Sequence, residues 1–358
     1  MLMANNASKK HHYVPASILG QWAAPGGSPT RRRERRIRVH LKGHGIVQLR
    51  AAEACFRNQL YKLPQYDDAR ERGLSFLTIA GAAELRHPTA RDDEAVDDFL
   101  RRVGDDPVLR ARLTPDFAEA RLGAALDTPF VDLADRMRGP EAHNPTRREL
   151  KLIRRFMLVS LVRNPVYLEG GLEADRARAM AVGWKMTGAS GEFDHEAVGH
   201  PAVELQHRIL AEVFYCLAIV SMLRRTALQM ASIPTQITLM DTTPDLPFVI
   251  GDYPCFPHLW IDGEPKLDAP WPGLTTSHAI IAMPLSPRNC LTLTARVHAV
   301  PFGRARAAPQ LVRSINTVSA TTAVRHVVLP HDTDDVFLPG FQLPMSPPWS
   351  RSFLGGET

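Results

Sequence analysis

The chain has little of what usually announces a chemistry. Its four cysteines, Cys55, Cys216, Cys255 and Cys290, stand far apart with no C-x-x-C pair. That spacing excludes a zinc ribbon or a dithiol redox motif, and so few thiols in 358 residues suit a reducing cytoplasm. No G-x-x-x-x-G-K-S/T, no G-x-G-x-x-G behind a strand, no H-E-x-x-H and no G-x-S-x-G occurs. The usual forms of P-loop, dinucleotide, zincin and serine-hydrolase sites are thereby removed. Long hydrophobic runs are missing too. The longest, Leu210 to Leu223, contains Glu212 and is too short to span a bilayer. Met1 to Lys10 lacks the apolar core of a signal peptide. The sequence predicts a soluble, cytoplasmic protein that makes no use of a membrane.

What is present is an ordinary globular composition, 44% hydrophobic and 23% charged, enough for one substantial core. The formal net charge is +5, and much of the excess sits in one run, Arg31-Arg32-Arg33-Glu34-Arg35-Arg36-Ile37-Arg38. Such a run can meet phosphates, so nucleic acid or another phosphate-bearing ligand is a candidate partner through Arg31 to Arg38, although charge runs of this kind are more often solvated faces. A solvated loop leading into a strand is the competing reading.

Ile37 to Leu41 alternates apolar and polar residues, the two-residue period of a half-buried strand. Gly43 to Gly45 makes a turn, and Ile46 to Leu49 returns as a hairpin. From about Leu74 to Met230 the pattern is chiefly helical. Asp116 to Met137 reads as one or two helices interrupted or started by Pro129. Thr146 with Glu149 three residues on has the spacing of a capping box, and a stripe from Ile153 to Leu161 follows. Glu173 to Met186 and His200 to Met230 are further helix candidates. Gln236–Met240, Phe248–Ile250, Ala279–Met283, Cys290–Thr294 and His326–Leu329 are short and rich in branched residues, with a helix expected over Ser314–Val324. The expectation is an α+β fold: a mainly helical central bundle with a small sheet formed by the N-terminal hairpin and the C-terminal strands. Residues 331–358 form a proline-rich tail.

Three stretches could carry chemistry. His11-His12-Tyr13-Val14-Pro15 sets two imidazoles side by side, and imidazole with carboxylate suits a divalent metal ion. In an extended segment successive side chains face opposite ways, so one histidine would bind while the other supports it. Phe248-Val249-Ile250-Gly251-Asp252-Tyr253-Pro254 places a carboxylate at a strand end; a turn aspartate bonding backbone amides is the alternative. Arg163-Asn164-Pro165 puts a guanidinium at a helix end, to hold terminal carbonyls or an anion. His278 is a further candidate ligand. Glu84/His87 and Glu204/His207 have the spacing of di-metal bundles, though two such pairs are no more than chance placement gives.

In order along the chain, His11-His12-Tyr13-Val14-Pro15 with Leu19, Arg163-Asn164-Pro165, the Phe248–Pro254 stretch and Pro284-Leu285-Ser286-Pro287 resemble the bacterial domain-of-unknown-function 4238 family. Asn316 and Arg325 match a later helix of its pattern. The resemblance implies a single domain over residues 9–330. Ala16 stands where that family usually has Gln, Gly251 where Ser is common and Tyr253 where Asn is common. The resemblance supplies residues and no reaction.

Two functions fit these features. One is a metal-dependent hydrolase, of phosphodiesterase or nuclease type. There His11 or His12 and Asp252 hold a divalent ion that activates water, and Arg163 neutralises phosphate charge. The other is a non-catalytic ligand-binding or sensing module in which the same residues form a structural polar network.

Overall fold

The computed structural model describes residues 10–26, 29–58, 123–139, 141–163, 235–261, 264–266, 279–295 and 301–332. In chain order these form β1 (Lys10–His12), α1 (Ala16–Leu19), β2 (Arg36–Leu41), β3 (Gly45–Arg50) and β4 (Phe56–Asn58). After them come α2 (Thr128–Arg138), α3 (Arg147–Val162), β5 (Thr235–Asp241), β6 (Ile250–Gly251), β7 (Phe256–Ile261) and β8 (Glu264–Lys266). The last are β9 (Ala279–Ser286), β10 (Asn289–Ala295), β11 (Phe302–Arg306), α4 (Pro309–Thr322) and β12 (His326–Leu329). Among the described residues the strands form a six-stranded sheet in the order β11-β5-β10-β9-β7-β8 and a four-stranded sheet in the order β3-β2-β12-β6. A separate ribbon pairs β1 with β4.

The six-stranded sheet is covered on both faces at β9, which is why that strand reads as a nearly continuous apolar run and is buried at every position. Ile281, Met283 and Leu285 enter the main core with Phe130 and Leu133 of α2 and Ile153, Phe156 and Met157 of α3. Phe130 and Phe156 stack with ring centroids 3.7 Å apart. On the opposite face Ala282 joins Val312, Ile315 and Val318 of α4. The four-stranded sheet sends Ile37, Val39, Ile250 and Val328 into the main core. Its other face packs Val327 and Leu329 with Ala323 just past α4.

This architecture corrects the expected fold. The described residues hold more strand than helix and contain no central helical bundle. The N-terminal hairpin does pair with the C-terminal strands β12 and β6, but beside that four-stranded sheet stands a six-stranded one with α2 and α3 against one face and α4 against the other. The physical reason is that one amphipathic stripe suits a sheet face as well as a helix neighbour, so periodicity alone does not name the partner. Strands β7, β8 and β11 carry Pro257, Pro265 and two arginines, which hid them from a pattern search. The helix candidates at Glu173–Met186 and His200–Met230, both Glu-x-x-His pairs, Leu210–Leu223 and His278 lie outside the described residues. No helix among the described residues is long and apolar enough to cross a membrane.

Local signals do set the start of α3. Thr146 Oγ1 accepts from the Glu149 N–H at 3.3 Å, and the Glu149 carboxylate accepts from the Thr146 N–H at 2.7 Å. His143 and Arg136 also reach that carboxylate, at 3.0 and 2.6 Å. Burial works against the charge on Glu149. The Thr146 amide, His143 and Arg136 outweigh it and hold the carboxyl down at about 2, against an ordinary 4.5. A depressed carboxyl contributes stability above its unfolded pKa and loses it as pH falls through the folded value. The unfolding free energies of the wild type and Glu149→Gln should therefore differ by a constant amount at neutral pH. That difference should shrink between pH 4.5 and about 2, as followed by urea denaturation across this range.

Candidate functional site

The Phe248–Pro254 stretch is the meeting point of the motifs. Only Ile250 and Gly251 have a sheet neighbour, lying opposite Val328 and Val327 of β12. On the other side α4 takes the place of a strand. Asn316 Oδ1 accepts from the Val249 N–H at 3.0 Å, and its Nδ2 donates to the Pro247 carbonyl at 2.8 Å. Three residues on and on the same helix face, Ser319 Oγ accepts from the Gly251 N–H at 3.2 Å and donates to the Val249 carbonyl at 3.4 Å. Phe248 is held at both backbone groups. Its N–H donates to Pro287 of the Pro-Leu-Ser-Pro turn at 2.8 Å, and its carbonyl accepts from Trp22 Nε1 at 3.0 Å.

Gly251 is what lets the helix come so close. A Cβ there would lie 2.7 Å from the Ser319 carbonyl oxygen and 3.1 Å from the Ala323 Cβ. Real side chains do not tolerate the first distance against backbone. A serine at this position would push α4 outward and break the Asn316 and Ser319 bonds. This departure from the usual motif is tied to the helix packing.

Asp252 follows immediately and is 1% exposed. Its Oδ1 accepts from the Val324 N–H at 2.8 Å, and its Oδ2 accepts from the N–H groups of Arg325 at 2.9 Å and His326 at 3.2 Å. His326 Nδ1 lies 3.5 Å from the same Oδ2, and the Asp252 N–H donates to the His326 carbonyl at 3.0 Å. The carboxylate thus caps the turn that carries the chain from α4 into β12. A carboxylate serving several amides is strongly committed to them, because each charge-assisted bond contributes about 1.5–3 kcal/mol.

The opening motif reaches this region through Trp22. β1 pairs with β4, His11 opposite Arg57 and His12 opposite Phe56. The Tyr13 N–H donates to the Cys55 carbonyl at 2.8 Å, and Pro15 starts the α1 turn by accepting from Ile18 and Leu19. Tyr13, Val14, Leu19 and Trp22 are core residues. His12 is buried, with its Nε2 3.3 Å from the Ala52 carbonyl and its ring tilted against Phe56 at 5.9 Å. Cys55 has the left-handed φ of +52°. Burial pushes its thiol up, and the nearby Asp252 charge pushes it further. Burial does the same to Cys255 and Cys290, so none of these thiols is a ready thiolate.

The sequence candidates are therefore distributed as follows. Cys55, which Tyr13 bonds, lies near enough to Asp252 to feel its charge, whereas His12 turns its Nε2 to the Ala52 carbonyl and makes no hydrogen bond to Asp252 among the described residues. Arg163 sits elsewhere, 2% exposed at the carboxyl end of α3. Its Nη1 donates to both Asp127 oxygens at 2.8 and 2.7 Å and ties that helix to the residue before α2. Among the described residues no three of His, Cys, Asp and Glu gather in a set that could hold a metal ion. Asn164 and Pro165 lie outside the described residues. Sequence reasoning missed Trp22, Ser319 and Cys55. Only Ser319 had a usable signal, a polar residue one helical turn beyond Asn316 on an otherwise apolar face.

An open cavity of about 360 Å³ lies apart from these residues, at the amino end of α4, lined by Thr242, Thr243, Leu246, Arg306, Ala307 and Pro309 among others.

Residues 10–333 match the model of the family described as "Protein of unknown function (DUF4238)". No curated protein and no solved structure matches the chain.

Replacing Asp252 by Ala removes the acceptor for the Val324, Arg325 and His326 amides. The expected cost is about 4–5 kcal/mol, or roughly 6 °C in melting temperature for a chain of this size. Gly251→Ser should be at least as damaging because it displaces backbone. Differential scanning calorimetry of both variants checks this ordering.

Proposed function

The chain belongs to the DUF4238 family, and on that premise we propose that it is a non-catalytic ligand-binding module whose motif residues are its frame. The observation that carries this reading is the state of Asp252. Both of its oxygens serve the amides of residues 324–326, and the side chain is 1% exposed. The three amides take up most of its acceptor capacity, and an ion would have to reach the one remaining lone pair of Oδ1 on a side chain that is closed off from solvent. Arg163 is likewise spent on Asp127 and buried, which leaves it poorly placed to meet a phosphate. A metal-dependent hydrolase built on His11, His12, Asp252 and Arg163 would need these groups to converge on an open cleft. Instead, Asp252 and Arg163 each stabilise a different junction between elements.

A module of this kind takes its ligand on the outside of the frame. The arginine run beside β2 is the part of the chain that favours a phosphate-bearing ligand.

The test is a phosphodiester hydrolysis assay with manganese, zinc or magnesium, run on the wild type and Asp252→Asn with parallel melting curves. The expected outcome is a lower melting temperature for Asp252→Asn and no metal-dependent hydrolysis in either protein. Metal-dependent turnover by the wild type that disappears in Asp252→Asn, at a temperature where the variant is still folded, would overturn the reading.

A further inference from the structure

We propose that Arg31, Arg33, Arg36 and Arg50 form one surface that binds the phosphate backbone of double-stranded nucleic acid; this rests on the ligand-binding reading above and names its ligand.

The arginine run divides into structural and displayed members. Arg32 is an anchor: it is paired with Asp135 of α2, and its backbone carbonyl lies where a Cβ on Gly20 would be only 2.3 Å away. The glycine lets the turn over Pro29–Glu34 seat directly on the residue that follows α1. Arg35 is half-buried, its N–H donating to the Arg32 carbonyl and its carbonyl accepting from Ala51. Arg38 reaches the His331 carbonyl at 3.5 Å. Arg31, Arg33 and Arg36 are exposed, and no ion pair engages them among the described residues.

The fourth member arrives from the returning strand. Arg36 of β2 lies directly opposite Arg50 of β3 in register. Like charges facing each other across a strand pair are destabilising, so this juxtaposition needs a compensating anion. Arg50 has two, Glu53 and, at 3.7 Å, Glu34, which raise its pKa. Arg36 has none among the described residues. Arg32 anchors the run from beneath, and four guanidiniums against the carboxylates of Glu34 and Glu53 leave the surface with a positive excess, which is what a phosphate backbone complements.

Duplex rather than single strand follows from what accompanies the arginines. Single-strand binders stack bases on aromatic side chains, and Pro29 to Arg50 contains no Phe, Trp or Tyr. Contacts limited to guanidinium and phosphate are independent of base sequence and steeply dependent on salt.

The experiment measures binding of the full chain to a short fluorescent duplex by anisotropy, in EDTA, across a salt series. Arg31→Ser/Arg33→Ser/Arg36→Ser should weaken binding at least tenfold at low salt. It should also reduce the slope of log K against log salt by roughly 3, one unit per lost phosphate contact. A charge-matched control, Arg147→Ser/Arg148→Ser/Arg313→Ser, removes exposed arginines from other elements and should bind almost as the wild type does. Both variants should melt with the wild type, since all six side chains are exposed. The proposal is overturned if the wild type does not bind duplex at low salt, or if the first variant binds like the wild type. Equal loss in the control, or binding confined to phosphatidylserine vesicles, overturns it too. Cleavage of the bound duplex on adding magnesium would sink the non-catalytic reading while leaving the surface intact.

Discussion

A strand segment enclosed in a protein must find a partner for every backbone N–H and carbonyl, and the segment from Pro247 to Asp252 has a strand beside it for only two residues. The rest of the molecule is arranged to meet that demand. Side chains of α4 stand in for a missing strand, with Asn316 bonding both Val249 and Pro247 and Ser319 bonding both Gly251 and Val249. The indole of Trp22 and the turn at Pro287 serve Phe248. A helix can do this only if it approaches within side-chain reach of the strand backbone, and the bare Cα of Gly251 provides the clearance. Asp252 then fastens the end of the same helix to the start of β12.

Seen this way, the family motifs share one job even though they are far apart in the chain. The opening stretch supplies Trp22, whose indole holds Phe248, and Tyr13 and Val14, which join Ile250 in the main core. The Pro-Leu-Ser-Pro turn supplies the Pro287 carbonyl, and Ser286 Oγ keeps that turn closed by accepting from the amides of Arg288 and Asn289 at 3.2 and 3.1 Å. Asn316 belongs to the helix that completes the enclosure. Arg163 is the exception, closing the separate junction between α2 and α3.

What could be read from the residues was what neighbouring residues decide. The alternation from Ile37 to Leu41 and the Gly43–Gly45 turn gave the hairpin, and both glycines have the positive φ such a turn requires. Thr146 and Glu149 announced α3, since both halves of a capping box lie within one turn. The bundle misreading arose where the partner of an apolar face had to be guessed. Ile153, Phe156 and Met157 mark a buried stripe correctly, but nothing in their spacing says that β9 rather than another helix lies against it. The same limit governed Asp252. A carboxylate before a turn was legible as either a ligand or a cap, and the amides that occupy it lie more than seventy residues away. Its meaning depended on tertiary structure.

The pairing of the four-stranded sheet also has a consequence for how the protein is made. Leu41 in β2 pairs with His326 in β12, so the hairpin leaves the ribosome long before its neighbour exists. At the usual pace of synthesis that gap is roughly 15 to 60 s. Throughout it Val39 lacks the Val328 neighbour it later pairs with, and the edge of β2 is open to any stray chain. The arginines clustered around that nascent ribbon give it a charge that keeps identical copies apart, a service rendered before the finished sheet exists.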